Sequence, residues 1–156
     1  MVLFVTLGSV AMYTAGGGDL VPGATQSKRL ALLAYLSSAP VHRRDTLLGV
    51  FWPELDHARA RGALTRAVYY LRQLIGSDAV RSVGRDSLML PPDRVWVDVR
   101  AFREALERGD HAAAVELYQG EFLEGLFLTR TPAFEDWLDG QRRRLRLMAE
   151  DAAQHL

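Results

Sequence analysis

Four arginines, Arg59, Arg61, Arg66 and Arg72, lie within twenty residues of each other, from His57 to Gly76, and no carboxylate lies among them. Thr65, Tyr69 and Gln73 are interleaved with them. A guanidinium is a planar fork that binds phosphate, or the O6/N7 edge of guanine, with two parallel hydrogen bonds. A carboxylate on the same face would repel phosphates and oppose the counterion release that drives nucleic-acid binding. The chemistry on offer is therefore recognition of a polyanion.

Other constellations offer less. Histidines 42, 57, 111 and 155 are scattered without metal-ligand spacing. Glu121 and Glu124 form a carboxylate pair, but no nucleophile or cofactor motif accompanies them, so no enzyme is expected. "GGGDLVPG" does not lie between a strand and a helix in a phosphate-cradling arrangement and reads as a turn. The basic run "RRRLR" at Arg142 to Arg146 has Glu135, Asp136, Asp139, Glu150 and Asp151 within reach along one helix, so it reads as a solvated or partner-facing surface. Cysteine is absent, which excludes disulfides and thiolate metal sites. No cofactor is expected. The N-terminus lacks a basic n-region, and the longest apolar run, "LALLAYL", is too short to cross a membrane. A cytoplasmic protein without membrane contact is the expectation.

The formal net charge is zero, yet residues 1–98 hold eleven Lys+Arg against eight Asp+Glu, and residues 99–156 hold eight against eleven. The sign changes just after "LPPDRVWVD", which divides the chain into residues 1–97 and 98–156.

Hydropathy patterning supplies the elements that would hold the arginines. Leu3, Val5 and Leu7 alternate with Phe4 and Thr6, and Val10 and Met12 with Ala11 and Tyr13, as in short antiparallel strands. "LVPGAT" could add another. "QSKRLALLAYLSSA" predicts a helix with Leu30, Leu33, Ala34 and Leu36 on one side, and "RRDTLLGVFWPE" a second with Asp45 as N-cap. In the arginine-bearing segment Leu64, Val68, Leu71 and Ile75 make one buried stripe of a third helix, about 59–75, capped at Gly76. Arg59, Arg61, Thr65, Arg66, Tyr69, Arg72 and Gln73 lie off that stripe. Residues 80–90 read as a hairpin with Arg85 at its turn. Trp52, Trp96 and Trp137 read as core anchors. In residues 98–156, Asp98 and Asp110 are expected to cap helices ending at Gly109 and Gly120. Thr131 and Pro132 should open a longer helix whose Phe134, Trp137, Leu138, Leu145, Met148 and Ala152 face that pair.

The fold class expected is α+β: a winged helix-turn-helix with a small N-terminal antiparallel sheet and a C-terminal wing hairpin, then an all-α unit. In a winged helix-turn-helix the last helix enters the major groove and the hairpin touches an adjacent groove or the backbone. The DNA-binding candidates are Arg59, Arg61, Thr65, Arg66, Tyr69, Arg72, Gln73 and Arg85.

"LFVTLGSV", "SKRLALLAYL", "RRDTLLGVFWPELDHARARGALTRAVYYLRQLIG" and "SLMLPPDRVWVDVRAF" resemble the N-terminal half of SARP-type bacterial transcriptional activators. These join an OmpR-like winged helix to a helical bacterial transcriptional activation domain. "ALERGDHAAAVELYQGEFLEGL" and "FEDWLDGQRRRLRLMAEDAA" resemble the opening of that second domain, here about three helices of it. The resemblance implies a tetratricopeptide-like second unit, sequence-specific binding to double-stranded promoter or operator DNA, activation of transcription and contact with RNA polymerase. It leaves homodimerisation open. Two tyrosines, Tyr69 and Tyr70, stand where OmpR-like recognition helices often carry basic or small polar residues. The alternative is a winged-helix and helical protein-interaction module that does not bind DNA.

Overall fold

The computed structural model describes residues 1–14, 16–18 and 27–156. "LVPGAT" lies outside these. The architecture is mixed α/β, with two small three-stranded sheets and six helices among the described residues. Contacts divide the chain into two compact units that do not follow chain order. One comprises residues 23–95 and 127–136, the other 1–22, 96–126 and 137–156.

The first unit holds α1 (Ser27–Leu36), β3 (His42–Arg43), α2 (Arg44–Phe51), α3 (His57–Ile75), β4 (Arg81–Val83) and β5 (Ser87–Met89). Helix α1 buries Leu30, Ala31, Leu32, Leu33, Ala34 and Leu36, so it is enclosed nearly all round and not on the single side expected. Helix α2 starts at Arg44 with Arg43 in the N-cap position and no side-chain cap, so Asp45 sits in the first turn and is not the cap. There its charge still suits the positive end of the helix dipole. Helix α3 is capped by Asp56, whose carboxylate accepts the Arg59 N–H at 2.9 Å, and by Gly76 at the other end. Its buried side chains are the expected stripe of Leu64, Val68, Leu71 and Ile75, joined by Ala60 and Ala67. Strands β4 and β5 form the expected hairpin, pairing Arg81 with Met89 and Val83 with Ser87, and β3 adds to the far side of β5. Gly84 takes a φ of +61° in the turn, a backbone conformation that side chains disfavour. The Phe134 ring packs against Phe51 at 5.3 Å between centroids, tilted by 41°, and so joins this core.

The second unit holds β1 (Val2–Val5), β2 (Ala11–Thr14), β6 (Val95–Val97, whose first residue falls in the other unit), α4 (Asp98–Glu107), α5 (His111–Leu117) and most of α6 (Pro132–Gln154). Its sheet has the order β2-β1-β6. Val2, Phe4, Thr6 and Met12 are buried while Leu3 and Val5 are half-exposed, so the strand faces the core on the side opposite to Leu3 and Val5. Both faces of "VLFV" are apolar, which is why alternation alone points either way. Asp110 caps α5 as expected, accepting the Ala113 N–H at 3.0 Å. Helix α5 stops at Leu117, short of Gly120. Thr131 precedes α6, but its buried hydroxyl has no hydrogen-bond partner, so it does not cap by side chain. Residues 121–124 run beside residues 6–9 through Leu123 N–H to Thr6 O at 2.7 Å and Glu124 N–H to Gly8 O at 3.0 Å. A Cβ at Gly120 would meet the Gly8 Cα at 3.1 Å, so the two backbones approach where only glycine fits easily.

Asp98 performs a different task from the cap expected of it. It is buried, and its carboxylate accepts the Thr6 N–H at 2.9 Å, the Thr6 hydroxyl at 2.7 Å, the Leu7 N–H at 2.8 Å and the Val99 N–H at 3.0 Å. Burial pushes its pKa above the ordinary carboxylate value, and these four donors pull against that push. One side chain thus clamps the end of β1 to the start of α4. Asp98→Ala strands four donors and should destabilise the chain by about 3 kcal/mol or more, whereas Asp98→Asn keeps one acceptor oxygen and should lose less. Chemical denaturation of the three proteins tests this; equal midpoints would remove the clamp from the account.

Candidate nucleic-acid interface

Because Leu64, Val68, Leu71 and Ile75 must face inward, the remainder of α3 is presented outward. Arg59, Arg61, Thr65, Arg66, Tyr69 and Gln73 are all exposed, and Tyr69 is 65% exposed. The candidates are not equivalent. Arg59 lies 3.6 Å from the carboxylate of Asp56, an exposed pair of small energetic value. Arg72 is half-buried: its Nε donates to the Val80 carbonyl at 2.9 Å, and its Nη2 to the Ser82 hydroxyl at 3.4 Å. This arginine fastens α3 to the root of the hairpin.

Two concave regions flank the exposed face. A cleft of about 670 Å³ opens where the N-terminal ends of α2 and α3 meet the hairpin turn. Arg43, Arg44, His57, Arg61 and Arg85 line it, with Asp45 and Asp86 as opposing charges. The Arg44 N–H donates to the Asp86 carbonyl at 2.7 Å, which ties the turn to α2. The Arg44 guanidinium reaches the Ser82 hydroxyl at 3.0 Å. Thr65 lines this cleft and also a second groove of about 500 Å³ along the C-terminal half of α3. That groove holds Arg66, Tyr69, Tyr70 and Gln73, with Arg29 from α1. The Arg29 guanidinium lies 4.0 Å from the centre of the Tyr70 ring, a cation–π stack that turns Tyr70 toward α1.

The structure therefore brings Arg61 to Arg85, and Arg66 to Tyr69 and Gln73, while Arg59 and Arg72 stand outside both concavities. Sequence reasoning missed Arg29, Arg43, Arg44 and His57. The adjacent "HRR" at the start of α2 was the available signal, but its nearness to Arg61 and Arg85 depends on the tertiary fold. The basic run on α6 is partly spent internally. Arg142 donates to the carbonyls of Phe122 and Leu123, both at 2.9 Å, and lies 3.7 Å from Glu121. The expected pairing along the helix is present in Arg146 and Glu150 at 3.8 Å. Trp52 is buried beneath Lys28, whereas Trp96 and Trp137 are half-buried. No group of three or more potential ligands for a metal ion occurs among the described residues, and none of their helices is long and apolar enough to cross a membrane.

No family model matches the chain, and no curated protein matches it. Among solved structures it is similar to Mycobacterium tuberculosis EmbR in complex with a low-affinity phosphopeptide, with a TM-score of 0.62 and 22% identity. The match covers 97% of this chain and 45% of that one, so the chain spans less than half the length of the EmbR chain. At that identity the likeness shows the fold alone, a mixed α/β fold shared with part of that EmbR chain.

The geometry separates a structural arginine from surface arginines. Arg72→Ala should lower stability by about 1–3 kcal/mol, because it leaves the Val80 carbonyl without its donor. Arg66→Ala should stay within about 0.5 kcal/mol of the parent. Thermal denaturation of both variants tests the distinction, and the reverse order of midpoints would contradict it.

Proposed function

We propose that the chain is a sequence-specific DNA-binding transcriptional regulator of the SARP type. In this reading residues 1–97 are a winged helix-turn-helix, α3 is the recognition helix in the major groove, and the β4–β5 hairpin is its wing. Residues 98–156 are then part of a tetratricopeptide-like activation domain that engages RNA polymerase in the cytoplasm. One observation carries the reading: α3 turns outward a face bearing Arg61, Thr65, Arg66, Tyr69 and Gln73, with no carboxylate on the whole helix. The likeness in fold to EmbR supports it. No reaction is assigned to the protein. A second reading, a protein-interaction module that does not bind DNA, draws on the 65% exposure of Tyr69, since exposed aromatics favour protein contacts too.

Selection from a random double-stranded DNA pool, followed by sequencing, separates the two. A DNA regulator enriches a motif and binds it less tightly as salt rises; an interaction module enriches none. On the enriched site, Arg61→Ala and Arg66→Ala should each cost about 1–3 kcal/mol of specific binding. Loss of a phosphate contact should lower the log–log salt slope by roughly one unit, while loss of a base contact relaxes specificity at one position. Arg85→Ala, at the hairpin turn, should weaken all sequences about equally. Arg143→Ala on α6 should bind as the parent does; a loss equal to that of Arg66→Ala would move the DNA surface to α6.

A further inference from the structure

The groove along the C-terminal half of α3 has an unusual surface for a helix face carrying Arg61 and Arg66. Its lining, which includes Tyr69 and Tyr70, is mostly apolar. The Arg29 stack holds Tyr70 in place, while Tyr69 projects into solvent. A polyanion presents little that is apolar. In the major groove each base edge offers hydrogen-bond donors and acceptors, and the one apolar feature is the C5-methyl group of thymine. Exposed arginines suit the phosphate rails, and the aromatic surface beside them suits a methyl group between those rails.

We infer that this groove is a thymine-methyl site, with the Tyr69 ring as the specificity-determining surface. The inference rests on the DNA-binding reading above and adds to it the base feature that this part of α3 recognises. Contact is made by the ring, not the hydroxyl. The phenol oxygen is therefore dispensable for methyl discrimination, and the ring is not.

Replacing each thymine of the enriched site singly with deoxyuridine removes the methyl group and leaves every hydrogen-bonding atom in place. At one thymine the parent protein should bind about fourfold more weakly, as expected from losing the burial of one methyl-sized group. Tyr69→Ala should bind the two DNAs equally, and Tyr69→Phe should keep the fourfold difference. Tyr69 is exposed, so both variants should fold, and their melting curves check this. Equal binding of thymine and deoxyuridine by the parent at every position overturns the inference while leaving DNA binding intact. So does a deoxyuridine effect that persists in Tyr69→Ala. A parent protein that enriches no DNA overturns the DNA-binding reading itself, and this inference with it.

Discussion

One-sided burial of α3 is the constraint on which the site depends. A helix of nineteen residues amid a small core can hide one stripe, and Ala60, Leu64, Ala67, Val68, Leu71 and Ile75 fill that stripe here. Each large aliphatic side chain so buried contributes roughly 1.5–3 kcal/mol, so rotation of the helix about its axis is strongly disfavoured. With the rotation fixed, the outward residues are fixed as well. Arg72 lies at the edge of the buried stripe, and its bond to the Val80 carbonyl carries the position of α3 over to the hairpin. The Arg44 N–H to the Asp86 carbonyl does the same from α2. The basic cleft is the space these ties leave between three elements.

Counting arginines overstates the charge available to a partner. Arg72 and Arg142 spend their guanidinium groups on backbone carbonyls, a use that favours arginine because its fork offers several donors in fixed directions. Arg59 and Arg146 sit beside carboxylates. The exposed faces of α3 and the hairpin turn keep Arg61, Arg66 and Arg85. A formal net charge of zero is thus compatible with a locally cationic surface, since α3 carries four arginines and no carboxylate.

What the sequence made legible follows from whether neighbours along the chain decide the outcome. Helix α3 has a clear apolar period and a polar opposite face, so its buried stripe and its end at Gly76 could be read directly. Helix α1 is apolar nearly all round, and no period could reveal that it is enclosed on all sides. The first strand is apolar on both faces, so the choice of core face belongs to the packing. Asp98 resembles an N-cap locally, but its partners Thr6 and Leu7 lie more than ninety residues away, at separations of 92 and 91. The cleft residues Arg43, Arg44, His57, Arg61 and Arg85 come from β3, α2, α3 and the hairpin turn, so their meeting was illegible for the same reason. Residues 121–124 run beside residues 6–9 through backbone bonds that side-chain patterns do not announce.

The central claim is that the outward face of α3 and the hairpin turn form the DNA surface. The most direct measurement is a titration of the isotopically labelled protein with an enriched DNA duplex, followed by NMR through backbone amide and arginine side-chain signals. The account predicts the largest shifts at Arg61, Thr65, Arg66, Tyr69, Gln73 and Arg85, with Arg142 to Arg146 unchanged. Shifts concentrated on Arg142 to Arg146, with α3 silent, would contradict it.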